Sequence, residues 1–344
     1  MRYFYLNIII LLLFANCSSQ KSIQEEKYYR IGGIEQWVTI KGMDRQNPVI
    51  LFIHGGPGSP MSPYAENIFQ KWFENFTIVN WDQRGSGRTY KKNSPEKLTK
   101  NFLISNHLTL DQMVEDGIEL TEFITQYLNQ KKVILIGESW GMVLATKMAA
   151  NRPDLFRCYI GTSQIVNLQQ SLSFGFDRTQ QLAEQRQDSV TLEKLETLGK
   201  PPYPNGRTAG KLFRIIKKYE RELSDPIPEN FYQISASYDN ENDQKARAEG
   251  DDYSFFSLIG DQNLKIIGMS QNIDLTKIGQ NLKVPVHLYQ GENDILCPKE
   301  INKSYYDSIK QKTKSFDLIE NTGHGITPEI MEKQYRLIME NYRE

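Results

Sequence analysis

Val133-Ile134-Leu135-Ile136-Gly137-Glu138-Ser139-Trp140-Gly141 is the stretch on which the fold turns. Four apolar residues run into G-x-S-x-G, and residues 141–151 then read as a helix that stops at Arg152-Pro153. A buried strand that turns sharply into a helix forces its central Ser into strained backbone angles. Small residues two positions away on either side relieve the crowding. Ser139 is thereby presented at a helix N-terminus, where the dipole favours developing negative charge.

Working outward, residues 48–53, 76–81 and 158–161 are further short apolar runs. Such runs fit strands covered on both faces of a parallel sheet. Residues 28–31 and 34–40 are β-rich and split by Gly32-Gly33, which predicts a hairpin. Residues 110–128 carry apolar side chains near 3.6-residue spacing, a helix signature. After residue 162 the pattern changes. Residues 163–272 lack a buried strand, are rich in Gln, Asp, Glu, Lys and Tyr, and hold a helix-period set at Leu212, Ile215, Ile216 and Tyr219. Lys200 through Gly206, with three prolines, marks a turn between helices. Buried-strand patterning resumes at 284–289 and 315–319, with helices expected at 299–310 and 328–343. The expected fold class is α/β: a mostly parallel central sheet flanked by helices. Its core takes 27–162 and 273–344, and a helical cap, 163–272, is inserted between them.

A nucleophilic Ser needs a base, an orienting acid and donors for the oxyanion. The chain has only four histidines. His54 precedes the elbow in a Gly-rich loop, His107 lies in a polar connection, and His287 sits inside an apolar strand. His324, in Asn321-Thr322-Gly323-His324-Gly325 after the last strand, satisfies the order Ser…acid…His and is the expected base. Asp294, in the loop after residues 284–289, is the expected acid, with Glu292 as the fallback. His54-Gly55-Gly56-Pro57-Gly58 follows a strand end, where glycines let backbone N–H groups approach a ligand. The N–H groups of Gly56 and Trp140 are the expected oxyanion pair, with His54 and Gly55 in support.

Composition bounds the rest. The 344 residues are 39% apolar, with 41 Lys+Arg against 42 Asp+Glu, which argues against bulk disorder and a nucleic-acid partner. The three cysteines, 17, 158 and 297, give neither a disulfide framework nor zinc-site spacing. No metal and no cofactor are expected. Residues 3–15 carry no charge and follow Arg2. Thirteen helical residues would cover about 20 Å, short of a roughly 30 Å membrane core, so the segment reads as an export signal. It ends at Phe14-Ala15-Asn16-Cys17-Ser18-Ser19, which resembles a bacterial lipobox, although Asn16 stands where a small residue is usual. The expectation is a signal peptide at 1–16, lipidation of Cys17, a polar tether at 17–26, and an exported, membrane-anchored protein touching the membrane only through that lipid.

Three strings together carry a family resemblance: His54-Gly55-Gly56-Pro57-Gly58, Trp81-Asp82-Gln83-Arg84-Gly85-Ser86-Gly87-Arg88-Thr89 and Gly137-Glu138-Ser139-Trp140-Gly141. They resemble the prolyl aminopeptidase (proline iminopeptidase) family of α/β-hydrolases over about 28–162 and 274–344. The resemblance implies release of N-terminal residues, often proline, from small peptides through an acyl-enzyme. It implies supporting roles for Asp82 and Arg84 near the active-site floor. Glu138 stands where the family usually has Gly, and Met142 replaces a smaller residue. The family holds the substrate amine with cap acids near aromatics, including a Trp-Glu pair, but residues 163–272 contain no Trp. Glu184, Glu220, Glu222 and Glu229 are available there, and a solvated helix face explains them equally well. Two other readings remain: an esterase, amidase or lactonase acting on a small acyl substrate, and a non-catalytic surface-binding lipoprotein.

Overall fold

Strands that are apolar at every position need cover on both faces, and the computed structural model, which describes residues 21–343, supplies it. The strands are β1 (Ile23–Ile31), β2 (Ile34–Gly42), β3 (Val49–Ile53), β4 (Thr77–Trp81), β5 (Val133–Glu138), β6 (Phe156–Thr162), β7 (Gly260–Asp261), β8 (Ile266–Ile267), β9 (Val286–Gly291) and β10 (Lys314–Ile319). The helices are α1 (Ala65–Ile68), α2 (Gly87–Asn93), α3 (Lys100–Asn106), α4 (Leu110–Tyr127), α5 (Trp140–Asn151), α6 (Leu168–Gln185), α7 (Ser189–Leu198), α8 (Gly206–Leu223), α9 (Glu241–Ile259), α10 (Thr276–Gly279), α11 (Lys299–Ser308) and α12 (Pro328–Asn341). Eight strands form one sheet in the order β1-β2-β4-β3-β5-β6-β9-β10. The β1–β2 and β2–β4 pairs are antiparallel and the rest are parallel. This is the α/β architecture expected from the strand–helix alternation, and the α/β-hydrolase fold that the family resemblance implies.

The period-2 geometry of strands sorts the core into two layers. Leu51, Ile53, Val133 and Leu135 pack with Met113, Leu120 and Ile124 of α4 and with Val143 and Met148 of α5. Ile50, Phe52, Ile134 and Ile136 face the other way, against Phe69, Trp72 and α12 residues Ile330, Tyr335 and Ile338. Each such buried side chain contributes about 1.5–3 kcal/mol relative to exposure.

Strand order also places the site. The chain leaves β3 for β4 on one side, then returns to β5 on the other. Loops leaving the carboxyl ends of β3 and β5 therefore diverge and open a crevice between them, the usual ligand position in such sheets. Those loops carry His54-Gly55-Gly56 and Ser139. The helical insertion closes at its neck, where Asn167 bridges Asp274 and the Leu275 N–H donates to the Val166 carbonyl (2.8 Å). Arg88 fastens the insertion to the core. Its guanidinium reaches both carboxylate oxygens of Asp243 (2.8 and 2.7 Å) and lies over the rings of Trp37 and Tyr238.

Both edge strands differ from expectation. The first strand begins at Ile23, so residues 23–26 belong to the sheet and not to a tether. Its Gln-Glu-Glu-Lys run looks like a linker because solvent reaches both faces of this edge strand there, while Ile23 and Ile31 at its two ends are buried. The last strand, expected to be buried, is the opposite edge, and only Ile319 in it is buried. The segment 1–16 and Cys17 lie outside the described residues.

Candidate active site

The elbow is built as its sequence requires. Ser139 has φ 51° and ψ −116°, a conformation rarely held by a residue with a Cβ. A Cβ on Gly137 would stand 3.0 Å from the Gly141 carbonyl oxygen, and one on Gly141 would run into the carbonyl of Ile53. Both glycines are therefore needed for close approach. Met142, the larger residue one step on, fits because Gly161 opposite it has no side chain, and its sulfur accepts from the Tyr159 hydroxyl (3.3 Å).

Three loops at the carboxyl edge bring three side chains into a row. His324 Nε2 lies 2.8 Å from Ser139 Oγ, and His324 Nδ1 lies 3.1 Å from each oxygen of Asp294. Asp294 comes from the loop after β9 and His324 from the loop after β10. These adjacent loops are tied where the Glu292 N–H donates to the Ile319 carbonyl (2.9 Å) and the Asn293 N–H to Thr322 (2.8 Å). The fallback acid, Glu292, instead pairs with Lys299 (3.3 Å). His54 and His287 are held elsewhere. The Gln83 N–H donates to His54 Nε2 (3.2 Å), and burial pushes the His54 imidazole down to about 4. His287 is bound by Ser315 and Tyr342 and is likewise pushed down to about 4 by burial. His107 contacts the Ile104 carbonyl, away from this row.

The loop that carries Gly55 and Gly56 packs against the elbow. A Cβ on Gly55 would lie 3.3 Å from Ser139 Cβ. Gly56 has φ +113°, and its N–H, like that of Trp140 at the first position of α5, donates to no described turn or cap acceptor. Gln83 couples the two loops, a role that nothing in its local sequence signals. Its side chain donates to the His54 carbonyl (2.8 Å) and accepts from Trp140 Nε1 (3.1 Å). Asp82 accepts from Ser62 (2.6 Å) and from the Arg88 N–H (2.9 Å), while burial pushes its carboxyl up to about 6. Arg84 makes a two-point pair with Asp116 (2.7 and 3.0 Å) and reaches the Gly32 carbonyl (2.7 Å). It braces the β1–β2 turn on α4, whereas the expectation put it near the active-site floor. Glu138 accepts from the Ile326 N–H (3.2 Å), and Ser163 Oγ accepts from the Gly325 N–H (2.9 Å), so both pin the His324 loop. Burial raises the Glu138 carboxyl, against the opposing pull of His324.

Of the four cap acids weighed from sequence, Glu184, Glu222 and Glu229 are exposed and Glu220 is buried. Glu220 Oε1 accepts from the N–H groups of Ile295 (2.7 Å) and Leu296 (3.1 Å), gripping the Asp294 loop from α8. Burial, and then the Asp294 charge, push it up to about 7. For His324, burial acts downward, but the Asp294 carboxylate outweighs it and holds the imidazole well above its ordinary value. A base works deprotonated, so the acid limb of kcat/KM is expected above pH 6.5, the ordinary imidazole value. Glu220→Gln keeps an oxygen for the two N–H groups but removes a charge that favours the imidazolium. The acid limb is then expected to move to lower pH with little change in Tm. A pH–rate series on both proteins checks this, and an unmoved limb overturns it.

Asp294, Cys297 and His324 are the described residues whose donor atoms cluster closely enough for a metal, within 4.8 Å. Both ring nitrogens of His324 are already engaged, and burial pushes the Cys297 thiol up to about 12, away from the thiolate a metal needs. That donor set suits a proton relay better than a metal.

Ser139, His324, Gly55, Gly56 and Glu138 line a cavity of about 1070 Å³ beneath α8 and α9. Its remaining acids, Asp251, Asp252 and Asp261, were not singled out from sequence. They had no signal, being three of many acids in a charged segment.

A profile of the family described as "Serine aminopeptidase, S33" matches residues 44–331. The chain is 29% identical over 314 residues to the probable aminopeptidase YbaC of Bacillus subtilis, covering 91% of this chain and 94% of that protein. It is 23% identical to a proline iminopeptidase of Saccharolobus solfataricus, covering 92% and 91% respectively. Among solved structures, the proline iminopeptidase of Mycobacterium smegmatis superposes with a TM-score of 0.64 at 18% identity, over 92% of this chain and 96% of that one.

Proposed function

Since the chain belongs to the serine aminopeptidase family S33, we propose that it is an aminopeptidase that releases N-terminal residues, proline foremost, from short peptides through an acyl-enzyme. The observation that carries this reading is the continuous row Ser139–His324–Asp294 at the floor of a cavity that also holds acids. Ser139 Oγ attacks the carbonyl carbon of the first peptide bond while His324 Nε2 takes its proton. The N–H groups of Gly56 and Trp140 hold the oxyanion. His324 then returns the proton to the leaving amine, the C–N bond breaks, and the acyl group stays on Ser139. Water, deprotonated by His324, releases the acid and restores Ser139. Asp294 fixes the imidazole tautomer throughout. Glu138, Asp251 and Asp252 offer negative charge for a substrate's free amine.

The test is a panel of aminoacyl amides with free and blocked N-termini, prolyl among them. Blocking the amine is expected to lower kcat/KM at least tenfold. Equal turnover of blocked and free substrates, or turnover of simple esters alone, replaces the aminopeptidase reading with an esterase or amidase one. We also propose export and lipid anchoring through Cys17, on the sequence of residues 2–19. Mass spectrometry that finds an unmodified Cys17 in membrane fractions overturns the anchor.

A further inference from the structure

Helix α8 contributes a row of charge to the catalytic cavity. Arg207, Gly210, Arg214 and Lys217 all line it, at the i, i+3, i+7, i+10 spacing of a single helix face. Arg207, Arg214 and Lys217 are exposed, and none of them forms an ion pair or side-chain hydrogen bond among the described residues. Lys218, on another face of the same helix, is paired with Asp188 (3.0 Å). Asn205 and Gly206 also line the cavity, so the positive end of the 18-residue helix dipole adds to the row. Gly210 leaves the middle of the row open.

The cavity is not cationic throughout, because its charges are sorted by element. The acids come from Glu138 at the floor, from Asp251 and Asp252 of α9, and from Asp261. The fourth cation, Arg247 of α9, donates to the Tyr238 carbonyl (3.1 Å). Lys217 is the member of the row whose charge is felt by Glu138, next to the nucleophile. From Lys217 to Arg207 is ten residues, about 15 Å along the helix axis. An extended peptide covers that length in four to five residues.

We propose that the α8 row reads the leaving half of the substrate, holding the free C-terminal carboxylate of short peptides and acidic side chains of slightly longer ones. The proposal rests on reading this cavity as a peptide site. It makes the protein selective for short, carboxylate-ended peptides over amidated or C-terminally extended neutral ones.

The experiment follows the rate at which a fluorophosphonate labels Ser139 in the full chain, at low salt. Pro-Ala-Ala as free acid and as C-terminal amide, both with free amines, serve as protecting ligands. The acid is expected to protect at a concentration at least tenfold lower than the amide. In Arg214→Gln/Lys217→Gln that ratio should fall below twofold, each protein being its own reference. Equal protection by acid and amide in the wild type, or an unchanged ratio in the double variant, overturns the proposal. Cleavage is read separately. Peptides cleaved with no acid preference leave the aminopeptidase reading standing and remove the row. A clear acid preference without cleavage of either peptide does the reverse. No protection by either peptide removes both.

Discussion

Ser139→Ala is expected to abolish fluorophosphonate labelling and to lower kcat/KM by at least about 10⁴-fold. In the proposed mechanism Oγ accepts the acyl group, and alanine leaves His324 Nε2 with no proton to take. Residual turnover would come from the Gly56 and Trp140 donors acting on water attack. The substitution removes one atom from a side chain 9% exposed, so the fold should survive, and Tm is the control. Equal labelling of the variant and the wild type would place the nucleophile elsewhere and remove the serine-hydrolase mechanism.

Asp294→Asn is expected to lower kcat by about 10⁴-fold at neutral pH, as the tautomer argument for such triads requires. Asp294 Oδ1 accepts from the Cys297 N–H (2.7 Å) as well as from His324. That N–H would hold the asparagine oxygen in the same place and turn the NH₂ toward His324 Nδ1. The ring would then carry its proton on Nε2, where it cannot receive one from Ser139. The buried N–H of Cys297 keeps its partner, so stability should change little. A variant within tenfold of the wild type would mean that another acid orients His324. Glu292, engaged with Lys299, is badly placed for that.

The parts of this protein legible in its sequence were those governed by local chemistry. The all-apolar runs at β3, β4 and β5 announced a sheet covered on both faces. Gly137 and Gly141 announced a close approach on either side of Ser139. Chain order was enough to prefer His324 over three other histidines, and the structure sets it 2.8 Å from Ser139. Edge strands were harder. The Gln24-Glu25-Glu26-Lys27 run of β1 is polar because water reaches both faces of this edge strand between Ile23 and Ile31, and a polar strand and a tether look alike in sequence. Gln83 and Glu220 were illegible for a related reason. A buried amide or carboxylate differs from a surface one only in what surrounds it.

By itself, then, the sequence determined the α/β architecture and the elbow, which depend on residues close together in the chain, and the chain order Ser139, Asp294, His324, which is read along it. Tertiary structure alone decided which charges share a space. Glu220 is buried because α8 lies across the Asp294 loop. Arg84 turns to Asp116 because the β1–β2 turn packs on α4. Arg207, Arg214 and Lys217 line the cavity that holds Ser139 because an insertion that begins after β6 folds back over the carboxyl edge of the sheet. Helix periodicity puts those three cations on one face, but only packing determines that the face lines the cavity of Ser139.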